Sequence, residues 1–179
     1  MATRKPGIVT AGDSRLLQRA KKVRDVHTVQ SVCKRLVENL RRLKGQGLAA
    51  PQIGEDVRIA VVETRPTELR PRTRASPLYV MINPVITKRH KPLKIDWEKC
   101  FSVPGLLVRV PRFGKVEVRY VDEHGEERRE VFKGHLARVV QHECDHLEGK
   151  LHLHRAGLRH NHNIATVGNF KRFVLGQHP

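Results

Sequence analysis

Apolar residues recur at steps of three and four between Thr28 and Leu43, where Val29, Val32, Leu36, Leu40 and Leu43 share one side and Lys and Arg fill the other. That spacing predicts an amphipathic helix covering a core. Gly45 and Gly47 end it and lead through Ala49, Ala50 and Pro51 to an apolar strand over Val57–Val62. Thr64 to Pro77 holds three prolines and four arginines and reads as a surface loop, because apolar patterning resumes directly after it. Tyr79 to Ile86 predicts a strand with Pro84 at an edge or bulge. Leu106 to Val110 is a further short apolar run. Lys115 to Val121 alternates, Asp122-Glu123-His124-Gly125 supplies turn chemistry, and Glu130-Val131-Phe132 completes a hairpin with one face buried. A second helix starts near Gly134, carries Leu136, Val139 and Val140, and closes near Gly149.

Strands in the middle with a helix contributed from each end predict an α+β fold, with mixed or antiparallel strands around the second helix. A length of 179 residues fits one domain over 1–179. Residues 154–179 form a basic, His-rich extension, with His154, His160 and His162 and the closing run Phe170-Lys171-Arg172-Phe173-Val174-Leu175. It is expected to be loosely ordered rather than docked.

Composition adds further constraints. Three widely spaced cysteines, Cys33, Cys100 and Cys144, point to a reducing compartment in which a special cysteine is a ligand or nucleophile. No stretch approaches the roughly 20 apolar residues of a membrane span, and Met1 to Pro6 lacks a secretory apolar run, so a soluble, cytoplasmic protein is expected, with an organellar origin left open. The formal charge of +17 favours a polyanionic neighbour, and ribosome association is the expectation. Only eight residues are Phe, Trp or Tyr, and no nucleic-acid module is recognisable, so sequence-specific nucleic-acid binding is not expected.

The second helix carries Gln141-His142-Glu143-Cys144-Asp145-His146. Positions i and i+4 lie on one face, so His142 and His146 can grip one ion together. Glu143 sits about 100° round the helix, close enough to take a proton from a water activated there. Cys144 falls nearly opposite the two histidines and is not expected to bind.

Three segments, in order and spacing, resemble the motif set of the peptide deformylases. They are Gly45-Gln46-Gly47-Leu48-Ala49-Ala50-Pro51-Gln52, Glu98-Lys99-Cys100-Phe101-Ser102 and Gln141 to His146, with Val103-Pro104-Gly105-Leu106 and Val110-Pro111-Arg112 after the second. The resemblance spans about Ile8 to Leu153. It implies removal of the N-formyl group from the initiator methionine of nascent chains, releasing formate, by a metal-activated water. A catalytic metal site takes three protein ligands and keeps one position open. Cys100 becomes the natural third ligand beside His142 and His146, whereas His-Glu-x-x-His peptidases usually take a downstream His or Glu.

Glu143 would serve as general base and then general acid. The Gln52 amide and the Phe101 N–H would stabilise the oxyanion. By the same resemblance Gly45, Gly47, Leu48, Val139 and His142 lie near the methionine pocket, and the strand around Val103, Gly105 and Leu106 would pair with the peptide backbone. One divalent ion is implied, iron(II) in the cell, with zinc, nickel or cobalt as substitutes. Two positions depart from the pattern: Gln46 for an aliphatic residue and Lys99 for glycine. Lys99 either favours the neighbouring thiolate or points into water.

Overall fold

The computed structural model describes residues 7–68, 70–156 and 163–174, with side chains to 172. The layering follows from β2 (Ile59–Val62), whose residues are all buried. Ile59 and Val61 join Val32, Leu36 and Leu40 of α1 (Gln30–Arg42), while Ala60 and Val62 join Val139, Val140 and Leu147 of α2 (Gly134–Leu147). A strand covered on both faces needs apolar side chains at every position, which is why this run does not alternate.

The antiparallel sheet runs β1 (Gly47–Ala49), β2, β3 (Tyr79–Cys100), β4 (Val103–Val121) and β5 (Glu127–Lys133), with β6 (Ile164–Thr166) pairing β4. Helices α1 and α2 therefore cover opposite faces of one mixed α and β unit. Before α1 comes a 3₁₀ turn over Val26–Val29, so the helix proper begins two residues later than the periodicity predicts. After α2, Gly149 reverses the chain at φ 67°, and a Cβ there would strike the Leu17 carbonyl.

The middle of the chain differs from the sequence reading. Three short strands were expected at Tyr79–Ile86, Leu106–Val110 and Lys115–Val121. Instead β3 and β4 form one ribbon of 22 and 19 residues. Register shifts at Ile82/Val85, Ile86/Lys88, His90/Leu93 and Lys99/Cys100 interrupt the two-residue period, and the charged run Lys88 to Lys94 conceals what is left of it. Pro84 lies in the first of these irregularities, directly after Asn83 at φ 53°.

The tail also differs. Its described part is docked rather than loose: β6 pairs Leu106, Leu107 and Val108 of β4. Phe170 is 5% exposed, and its ring meets Trp97 edge-on at 5.4 Å. Lys171 pairs Glu68 at 2.8 Å. An aromatic residue four positions past the end of β6 supplies the apolar area that the basic composition hid. His160, His162 and Leu175 lie outside the described residues.

Candidate metal centre

Cys100 ends β3, and the Phe101-Ser102 turn joins it to Val103 at the start of β4. His142 and His146 share a face of α2, with ring centroids 5.0 Å apart. One donor atom from each of Cys100, His142 and His146 falls within 4.8 Å of the others, and all three residues are buried. Cys100 Sγ lies 3.3 Å from His146 Nε2. His142 Nδ1 donates to Glu98 Oε2 at 2.8 Å, leaving Nε2 for an ion. Burial, together with the positive field of His142, holds the His146 imidazole well below its ordinary pKa and keeps it neutral, as a ligand requires. One thiol, two imidazoles and a neighbouring carboxylate outside the triad fit a catalytic divalent ion.

Glu143 is 3% exposed, and its Oε2 has no hydrogen-bond partner among the described residues. Burial pushes its carboxyl up to about 7, against the lowering effect of His142. A proton acceptor poised near neutrality is suited to acid and base work. Gly47 makes room for it: a Cβ there would lie 2.7 Å from Val139 Cγ1 and 2.8 Å from Glu143 Cδ. At Gly45 the obstacle would be the Phe101 ring, 2.6 Å away.

Gln52, 1% exposed, lies in a 3₁₀ turn directly after β1. Its Oε1 accepts from the Ala49 N–H at 2.8 Å, which aims Nε2 at Ser102 Oγ (3.3 Å) and Cys100 Sγ (3.8 Å). The structure thus brings Gly45, Gly47, Gln52, Cys100, Phe101, Val139, His142, Glu143 and His146 together. Leu48 packs into the α1 side of the core, so only its main chain borders the site. Val103 is buried beside Cys100, and Leu106 packs half-buried against the same cluster while its backbone pairs β6. The sequence reading assigns the strand around Val103, Gly105 and Leu106 to pairing with a peptide backbone; from Leu106 to Val108 that strand pairs β6.

The two departures resolve differently. Lys99 is exposed between buried Glu98 and Cys100, so it points into water. The Gln46 carbonyl oxygen accepts from His135 Nε2 and its amide donates to the Arg65 carbonyl, fastening the glycine loop to the start of α2. Cys144 sits in the apolar cluster with Phe132 and Val140, and burial pushes its thiol up to about 12, which keeps it out of the donor set.

Sequence reasoning missed the supports behind the donors. Glu98 accepts two bonds from Arg112, at 2.9 and 3.0 Å, and a third from Arg138 at 2.8 Å. Arg112 continues to Asp145, which also holds Arg155. Desolvation alone would raise the Glu98 carboxyl, but the His142 and Arg112 bonds outweigh it and hold it well below the usual carboxylate range. A signal was present in the chain: Glu98 and Cys100 are two apart on a strand, so they share a face that Lys99 avoids.

This arrangement first defines a class, a metal-dependent hydrolase. The polypeptide deformylase family matches residues 6–162, and the chain belongs to that family. It removes the N-formyl group from nascent peptides. Peptide deformylase 2 of Ralstonia nicotianae is 39% identical over 147 residues, covering 81% of this chain and 83% of the relative. Peptide deformylase 1 of Streptomyces coelicolor is 43% identical over 161 residues, covering 85% and 73%. The class I type b peptide deformylase of Acinetobacter baumannii, solved with Met-Ala-Ser bound, superposes with a TM-score of 0.80 at 31% identity, covering 83% of this chain and 96% of that one.

Proposed function

We propose that Cys100, His142 and His146 hold one divalent ion, with Glu143 as proton carrier and Gln52 and the Phe101 amide facing the carbonyl oxygen of the formyl group. The observation that carries this reading is the convergence of three buried donor atoms within 4.8 Å beside Glu143, whose Oε2 has no hydrogen-bond partner among the described residues. When bound, the ion supplies Lewis acidity, polarising the formyl carbonyl and lowering the pKa of water toward neutrality. Glu143 takes a proton from the attacking water and returns it to the departing amine. Gln52 Nε2–H and the Phe101 N–H donate to the oxygen on which negative charge develops. Arg112 and Arg138 keep Glu98 ionised, and Glu98 fixes the His142 ring.

The substrate is a peptide beginning with formyl-methionine. Gly45, Gly47, the Leu48 main chain and Val139 line the entry for its side chain, and the absent side chain at Gly47 lets the formyl carbon approach Glu143. Val103, Gly105 and Leu106 border it less closely. Iron(II) is the ion proposed for the cell, with zinc, nickel and cobalt as substitutes, because a thiolate with two imidazoles accepts all four. Protein prepared without oxygen and loaded with iron(II) is expected to release formate from formyl-Met-Ala-Ser, to stop on chelation and to resume on re-addition. Fully loaded protein that leaves this peptide formylated with any of the four metals would sink the reading.

The +17 charge supports work beside the ribosome, in the cytoplasm or an organelle interior, without sequence-specific nucleic-acid contact. Among the described residues, no helix is long and apolar enough to cross a membrane. Co-sedimentation with ribosomes is expected to weaken steeply as salt rises. Association indifferent to salt would contradict an electrostatic origin.

A further inference from the structure

The strands that carry α2 on one face leave much of the other face open. Val116, Val118 and Tyr120 of β4 and Phe132 of β5 turn inward to the α2 cluster. Side chains alternate along a strand, so Lys115, Glu117 and Arg119, and Arg129, Val131 and Lys133 beside them, point the opposite way. On that side the α1 cluster takes in Val121. What lies beyond it is in water: Val85, Lys88, Arg119, Arg129, Val131 and Lys133 are all exposed.

The register sets like charges against each other. Lys115 stands directly opposite Lys133, and Arg119 directly opposite Arg129. Such pairs destabilise a sheet when nothing lies between them. From β3 comes another cation, Lys88, opposite Glu117. Glu117 is the one acid between the two pairs, and it already accepts a hydrogen bond from His90 Nε2 at 2.7 Å. Glu130 turns its charge on Tyr79 and Tyr120 of the α2 face, and Glu127 sits at the far end, opposite Val121. Among the described residues, Arg119, Arg129 and Lys133 form no salt bridge.

The two cation pairs are four residues apart along their strands, about 13 Å, and each bridges the roughly 4.8 Å between β4 and β5. Paired cations at that spacing suit the oxygens of a phosphate. None of these positions is aromatic, so the face has no platform on which an unpaired base could stack. A helical phosphate backbone fits it better than a single strand.

We propose that this face docks on the phosphate backbone of double-helical RNA in the ribosome, through the pairs Lys115 with Lys133 and Arg119 with Arg129. This rests on the ribosome reading above and gives it a place on the molecule. The metal-binding helix lies across the sheet, so an enzyme held here keeps its centre open to a nascent chain. The competing explanation is a solvated basic face that contributes only to the total of +17.

The experiment compares the full-length wild type with two fourfold variants of equal net charge. One carries Lys115→Gln, Arg119→Gln, Arg129→Gln and Lys133→Gln. The other carries Lys22→Gln, Arg24→Gln, Lys34→Gln and Lys150→Gln, at exposed cations elsewhere. Binding to a labelled RNA hairpin is followed by fluorescence anisotropy across a salt series, and binding to ribosomes by co-sedimentation. The face variant is expected to bind both at least about tenfold more weakly, with a salt slope flatter by about 3 to 4. Its formate release should be unchanged, and its melting temperature equal to or above that of the wild type, because two like-charge pairs are gone. The other variant should stay within about threefold of the wild type, since separated surface charges are screened. If wild type sediments with ribosomes and the face variant does so equally well, or if both variants lose the same amount, this proposal is overturned while the ribosome reading stands. A wild type that binds phosphatidylglycerol vesicles and not the hairpin also overturns it. A wild type that fails to sediment with ribosomes at low salt overturns the ribosome reading, and the proposal with it.

Discussion

Glu143→Gln is expected to keep its metal and lose formate release by about 10²- to 10⁴-fold, the usual contribution of a positioned acid and base. The carboxylate is not one of the three converging donors, and the amide has nearly the same shape in the same closed space. Metal content and formate release on the same sample test both halves. Turnover within a few fold of the wild type would remove Glu143 from its role. A second readout follows from burial. The metal-free Glu143 carboxyl titrates near 7 rather than at its ordinary 4.5, so folding favours its protonated form. That contribution is fully present below about pH 4.5 and is lost as pH rises through 7. Metal-free Glu143→Gln should therefore match the wild type in heat stability at pH 4 and exceed it above pH 7.

Glu98→Gln is expected to destabilise the fold by about 3–5 kcal/mol, because it leaves Arg112 and Arg138 buried with one carboxylate fewer. For a chain of this length that is a fall in melting temperature on the order of ten degrees. Metal affinity should drop as well, since His142 loses the charged acceptor of its Nδ1–H. The acid limb gives a further check. Glu98 is held below its ordinary 4.5, so its stabilisation is present above that pH and is lost as pH falls through the lower folded value. The variant's stability should therefore fall less steeply than the wild type's below pH 4.5. A loss under about 1 kcal/mol would show that Asp145 suffices for Arg112 and the Lys94 and Val110 carbonyls for Arg138.

What the chain disclosed and what it hid have different physical roots. His142, Glu143 and His146 were legible because helical geometry is carried by local spacing, and α2 preserves it. Gln52 and Cys100 were legible only through the resemblance. Nothing local says that a turn after β1 will face a hairpin 48 residues later, where Gln52 Nε2 meets Cys100 Sγ. The ribbon was hidden because four register shifts break the alternation on which strand reading depends. Glu98 was visible as part of a motif but not as a support, because its partners Arg112 and Arg138 come from β4 and α2. The docked tail was hidden by averaging: one buried Phe170 is lost among the basic residues around it.

The strand pair β1 and β2 is one backbone thick, with Leu48 and Ile59 on the α1 side and Ala49 and Ala60 on the α2 side. Neither strand offers mutation a neutral position in water. A methyl group added or removed among these residues changes the volume available to a helix on one face or the other. Adaptation of this enzyme to heat, cold or inhibitors should therefore accumulate along the exposed ribbon and loops, while this partition drifts slowest. A rare change within it would be expected to bring a compensating change in α1 or α2, according to the face it alters.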